Sequence, residues 1–351
     1  MKQNILRAKL KFKREALNAL GYTPERTISI TRLEKSQNIS SEIIGTYSEQ
    51  FSTEIYDPRN TNLSGHYFNS RKVFLLHNVI LEPLLGSVYS KDGELIREST
   101  NWPFFQFYHS FPWTPKKQLQ KSKFASAIFL PSSAFGHWLM EDLPLVIFAL
   151  ETDLSAPILV ASDPPKYVAD FLAILDREVI YLDGPVFVDS LILVQKNQDS
   201  GWPHPKDLET LLQFAPFRLI RSDLPATKRI YASRRNAKRS PKNEHQVEQS
   251  FMNFGFEIMH LEKLDLLDEI ELLSSTSTLA GVHGSALANV IWMPPQSRVI
   301  DIVNENYWTE AGHRLCFLRN SHYNFHLYSG KLQDEVCIPE IEKLLKKHLS
   351  I

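Results

Sequence analysis

Lys228-Arg-Ile-Tyr-Ala-Ser233, Phe256-Glu-Ile-Met-His260, Thr278-Leu-Ala-Gly-Val282 and Arg298-Val-Ile-Asp-Ile-Val303 are short β-rich runs that follow one another along the chain. The stretches between them carry helical signals. Asn243 stands at a capping position before Glu244–Phe254, and Gly255 sits where a left-handed residue closes a helix. Leu266, Leu267, Ile270 and Leu273 recur at helical spacing between Leu264 and Ser275. After Val282 come His283-Gly284-Ser285 and an apolar helix to about Ile291. Strands separated by helices of this length favour right-handed crossovers and a parallel sheet. The expected fold class is α/β, with this stretch forming half of a doubly wound domain.

In such a sheet every strand points the same way, so the residues after each strand gather at one edge. Arg234 and Arg235, His260 and Glu262, His283 and Gly284, and Asn304 and Glu305 are therefore expected as neighbours. The helix after His283 would offer unpaired N–H groups and a positive dipole end to an anion. Gly284 would let the backbone approach a phosphate, and arginine supplies planar forked donors that match phosphate oxygens. Together these residues describe a diphosphate site. Each also has an ordinary explanation: a turn glycine, a packed histidine, a solvated strand end. Their convergence on one edge favours the site, although neither a Walker pattern nor Gly-x-Gly-x-x-Gly occurs.

Tyr231-Ala-Ser-Arg234-Arg235, Arg239, Asn243-Glu244, Gly255-Phe256 and Gly281-Val-His283-Gly284-Ser285-Ala286-Leu287-Ala288-Asn289 resemble glycosyltransferase family 61. Phe135-Gly136-His137-Trp138-Leu139-Met140-Glu141-Asp142-Leu143-Pro144 is similar to a His-aromatic…Leu-Pro segment of that family. The resemblance runs roughly from residue 124 to 303. Ser285 stands where the family usually has Ala, and Ala286 where Gly is common. The family implies a GT-B-like fold, two Rossmann-like domains facing across a cleft, and inverting transfer from a nucleotide sugar, expected to be UDP-linked. Arg234, Arg235, Arg239, Glu262, His283, Gly284, Ser285 and Asn289 are the expected nucleotide and diphosphate residues. Bacterial relatives imply a role in capsular polysaccharide or lipopolysaccharide synthesis.

The composition agrees with a soluble enzyme. The 351 residues suffice for two domains with their own cores, and a formal net charge of −1 gives no basic field to recruit nucleic acid. Cys316 and Cys337 alone make no disulfide framework and no cysteine zinc site, which suits a reducing cytoplasm. No apolar run approaches the roughly 20 residues of a membrane-spanning helix. The start of the chain, with Lys2, Arg7, Lys9, Lys11, Lys13 and Arg14 among Ile5, Leu6, Leu10 and Phe12, lacks a signal-peptide pattern. Such a basic amphipathic helix suits either peripheral contact with the inner membrane face or packing on the first domain.

The expected domains are 1–222, on the acceptor side, and 223–351, Rossmann-like and holding the nucleotide sugar. The connection is expected between Phe217 and Ala226, and Gln198–Pro205 is the best loop candidate. Runs at Ala127–Leu130, Ile158–Val160, Val179–Leu182 and Leu191–Val194 read as strands of a second α/β unit. Trp102–Tyr108 and Phe111–Trp113 suit either an acceptor cleft or a core with loops. Ile338–Leu349 reads as an amphipathic helix, of the kind GT-B folds send back across the first domain.

Inverting transfer needs a base for the acceptor hydroxyl and a stabiliser for the departing diphosphate. Arginines 234, 235 and 239 answer the second need. His137, with an ordinary pKa of about 6.5, answers the first, and Glu141, four residues on, orients it or is itself the base. A structural role for His137 at a helix start is equally open. Pro144 cannot donate to the Met140 carbonyl, so a kink or restart is expected there. No Asp-x-Asp clamp occurs, so neither a metal nor another cofactor is expected. The expected partners are a nucleotide-sugar donor and a glycan or lipid-linked glycan acceptor. A sugar-nucleotide epimerase of the same fold and a non-catalytic sugar-nucleotide-binding subunit of a polysaccharide assembly complex remain alternatives. A serine hydrolase is disfavoured, since no Gly-x-Ser-x-Gly elbow exists.

Overall fold

The computed structural model describes residues 30–33, 39–56, 63–83, 86–100, 120–122, 126–197, 201, 203–221, 225–235, 237 and 239–349. The basic start of the chain, the aromatic clusters at 102–113 and half of the loop expected at 198–205 lie outside them. The chain divides into two compact units, Met1–Leu211 and Leu212–Ile351.

In the first unit a long strand, β1 (Arg71–Glu82), and four more, β2 (Ile128–Leu130), β3 (Ile158–Ala161), β4 (Val179–Leu182) and β5 (Val186–Val194), build most of one sheet. β5 runs antiparallel to β1 and parallel to β2, and β2, β3 and β4 continue in parallel. Helices α1 (Leu143–Thr152) and α2 (Lys166–Ala173) connect β2 to β3 and β3 to β4. Apolar residues alternate along the long strands, so Phe74, Leu76, Val79 and Leu81 meet Val186, Val188 and Leu191 in one core.

The second unit holds a five-stranded parallel sheet: β6 (Lys228–Ala232), β7 (Glu257–Met259), β8 (Thr276–Val282), β9 (Arg298–Asn304) and β10 (His322–Tyr328), in the order β7-β6-β8-β9-β10. β8 and β9 are buried along almost their whole length, which a parallel sheet covered on both faces requires. Helices α3 (Glu244–Asn253), α4 (Leu266–Ser274), α5 (Ala311–Leu318) and α6 (Ile338–Leu349) supply the covers. Val247 and Phe251 of α3 and Ile341 and Leu345 of α6 pack with Tyr231, Ala280, Val282, Ile300 and Ile302. Phe217, at the start of the expected connection, is fully buried within this unit against Trp292.

One local expectation is corrected and another is refined. Asn243 does not cap α3 with its side chain; its amide instead donates to the Val336 carbonyl at 2.8 Å and accepts the Val336 N–H at 2.9 Å. The segment after His283 is a seven-residue 3-10 helix, Ser285–Ile291, with bonds such as Trp292 N–H to the Asn289 carbonyl. So short and tight a helix offers a smaller dipole than a full α-helix would. Beyond the four strands expected, α5 and β10 add a fifth. Gly255 does take the left-handed conformation, with φ of +77°.

Candidate active site

The order β7-β6-β8-β9-β10 reverses direction between β6 and β8. Ligands of open α/β sheets bind at such a switch point, outside the carboxyl ends of the strands. Register pairs Ala232 with Gly281, so Arg234 and His283, each two residues further on, leave the sheet side by side. The Arg234 Nη1 donates to the His283 carbonyl at 2.6 Å.

The three arginines differ sharply in how they are compensated. Arg235 is paired with the buried carboxylate of Glu248, which also accepts the Ser233 hydroxyl at 2.6 Å. Among the described residues no carboxylate pairs with the guanidinium of Arg234 or of Arg239. The Arg239 guanidinium lies 4.3 Å from the centre of the Tyr307 ring. Burial, and then the nearby Arg239 charge, hold the Arg234 guanidinium below its ordinary proton affinity. The Arg234 Nε is buried with no hydrogen-bond partner. Two cations close enough to oppose one another, one of them half out of water, make an anion-seeking notch.

α3 sets this loop from beneath. Glu244 and Glu248 are one helical turn apart and both are buried. The Glu244 carboxylate accepts the Arg234 backbone N–H at 2.8 Å and the Tyr231 hydroxyl at 3.1 Å, and burial pushes its carboxyl above the usual range. Sequence reading named Glu244 as part of a resemblance and missed Glu248, whose i, i+4 spacing from Glu244 was the available signal.

The remaining expected residues fall in different places. His283 is buried; its Nε2 accepts the Thr309 N–H at 3.2 Å, so its Nδ1 carries the proton donated to Asp301 at 2.8 Å. Its carbonyl rather than its imidazole faces Arg234. Gly284 has a use other than close approach of a phosphate: an added Cβ would stand 1.9 Å from the Arg234 Nη1. Ser285 is exposed at the start of the 3-10 helix. Asn289 is fully buried, donating to Glu269 of α4 at 2.5 Å, and Glu262 is an exposed residue 3.6 Å from His260. Arg234, Arg239, His283 and Gly284 thus come together, while Arg235, Asn289 and Glu262 are engaged elsewhere. Among the described residues no three His, Cys, Asp or Glu side chains could hold a metal ion.

In the first unit, His137 follows β2 and the Pro131–Ala134 loop. Residues Trp138–Asp142 form a π-turn, the Leu143 N–H reaching back to the Trp138 carbonyl, and α1 restarts with Pro144 in its first turn. The missing Pro144 N–H explains the slip, and such bulges recur at functional sites. Trp138 locks the turn by packing on Tyr167 and Phe171. His137 is about half exposed, and its Nδ1 lies 3.0 Å from the buried Glu141 carboxylate, which also accepts the Gly201 N–H at 2.5 Å. That hydrogen bond, more than any other influence, holds the imidazole pKa above its ordinary value. With Nδ1–H donated to Glu141, the neutral ring carries its lone pair on Nε2.

A doubly wound parallel sheet of this order, whose switch point carries two arginines that pair with no carboxylate among the described residues, is the build of a Rossmann-like α/β protein. Residues 135–300 match the family described as Glycosyltransferase 61. That segment is a family 61 glycosyltransferase domain, and the protein is a glycosyltransferase. No curated protein matches it.

Proposed function

We propose that this glycosyltransferase moves a sugar from a UDP-linked donor to a glycan hydroxyl with inversion, as a GT-B enzyme whose second unit binds the donor and whose first unit activates the acceptor. One observation carries this reading: Arg234 and Arg239, unpaired with any carboxylate among the described residues, lie together at the switch point of a parallel sheet.

The His137 Nε2 takes the proton of the acceptor hydroxyl, and Glu141 steadies the imidazolium that forms. The acceptor oxygen attacks the anomeric carbon opposite the diphosphate; its bond forms as the bond from that carbon to the diphosphate oxygen breaks. The electron pair leaves with the diphosphate, and Arg234 and Arg239 stabilise the charge that grows there. The proposed setting is cell-surface polysaccharide synthesis on the cytosolic side of a bacterial membrane. Two unpaired cysteines, and the absence among the described residues of any helix long and apolar enough to cross a membrane, agree with it.

Calorimetry with UDP tests the assignment. Arg234→Ala is expected to weaken binding several-fold or more, whereas His137→Ala keeps donor affinity and loses sugar transfer. Unchanged UDP affinity in the first variant removes the diphosphate site, and wild-type turnover in the second removes His137 as the base.

A further inference from the structure

Arg239 is the less anchored of the two arginines that pair with no carboxylate among the described residues. It lies in the connection between β6 and α3, not on a strand or helix, and among the described residues no carboxylate or carbonyl holds its guanidinium. A long side chain so placed loses binding strength to its own rotamer freedom. What it does have is the face of Tyr307, 4.3 Å away.

The loop that presents Tyr307 is tied down on both sides. The Tyr307 N–H donates to the Asn304 carbonyl at 3.0 Å, and the Asn306 N–H to the Asn304 Oδ1 at 3.0 Å. Two residues past Tyr307, the Thr309 N–H is held by the His283 Nε2 at 3.2 Å, and Asp301 fixes the other side of that imidazole. The His283 ring also packs edge-on against Tyr307, with centroids 5.9 Å apart. Tyr307 itself is 37% exposed, so it forms a wall of the notch and not part of the core.

We infer that Tyr307 is a positioning residue of the donor site, holding Arg239 by its flat face so that the in-plane N–H donors of the guanidinium are aimed at the diphosphate. The inference rests on the proposed donor site and adds a residue to it. Stacking uses only the π-face of a guanidinium and leaves its fork of donors available to oxygen acceptors. His283 then acts at one remove, as the anchor of the Tyr307 loop, which accounts for an imidazole that faces Asp301 and Thr309.

A double-mutant cycle with UDP as the probe tests it. Tyr307→Leu is expected to weaken UDP binding about three- to thirtyfold, with Tyr307→Phe staying within about twofold of wild type. Tyr307→Leu should cost nothing further once Arg239→Ala is present, because the ring acts through that arginine. Fully additive losses overturn the inference, as does wild-type affinity in Tyr307→Leu. Arg239→Lys keeps the charge, loses the flat face and leaves the tyrosine untouched, so it serves even if Tyr307→Leu does not fold; it is expected to bind UDP as poorly as Arg239→Ala, and wild-type affinity there also overturns the inference. Arg234→Ala run alongside separates the two levels. Loss in that variant with no coupling between Arg239 and Tyr307 leaves the donor site standing and this inference fallen, whereas unchanged affinity in it takes down both.

Discussion

Arg234, Arg235 and Arg239 are alike as letters and unlike in the folded protein. Glu248 neutralises the second, Gly284 makes room for the first, and Tyr307 seats the third. The candidate base is equally a matter of one contact. Because the Glu141 carboxylate raises the His137 pKa, the charged imidazole is favoured in the folded protein. The stability this contributes is fully present below about pH 6.5 and is lost as pH rises through the higher folded value. Activity should run the opposite way, rising as His137 loses its proton, with a limb above pH 6.5. Glu141→Gln should move that limb of the kcat/KM profile to lower pH. An unmoved limb would mean that some other group is the base. The His137–Glu141 pair was legible in the chain from its i, i+4 spacing alone, whereas the Gly201 N–H that shares the carboxylate was not.

At the scale of elements, local periodicity carried most of the second unit. The strands at 228–232, 257–259, 276–282 and 298–304 and the helices at 244–253 and 266–274 lie where alternation and helical spacing put them. One error came where a long-range bond overrode a local one. Asn243 has the chemistry of a cap, yet its amide is spent on the buried backbone of Val336, far along the chain. Asn243→Ala should therefore behave as the loss of a tertiary clasp and not of a helix cap. The N–H and carbonyl of Val336 would be left unpaired, and denaturant unfolding should show a loss of about 1–3 kcal/mol. A loss below about 0.5 kcal/mol would show that water takes over both groups. β10 escaped sequence reading because His322-Tyr-Asn-Phe-His-Leu-Tyr328 mixes polar and aromatic residues, as an edge strand with half-exposed faces allows.

For the whole molecule, the order β7-β6-β8-β9-β10 puts a switch point between β6 and β8, and the proposed donor site lies there. A ligand bound there stabilises the folded protein by mass action, by roughly 2.7 kcal/mol at a hundredfold excess over its dissociation constant. Thermal unfolding across UDP, GDP, CMP and dTDP sugars should give its largest upward shift with a uridine nucleotide, and that shift should vanish in Arg234→Ala. A flat response to all four would remove the donor site. The chain by itself determined the alternation of strand and helix, hence the parallel sheet and the set of residues at its carboxyl edge, because those depend on spacings within a few residues. Only the tertiary structure decided which of those residues keep an unspent charge. Ion pairing and stacking depend on groups such as Glu248, Tyr307 and Asp301, which are distant along the chain and which no local period brings together.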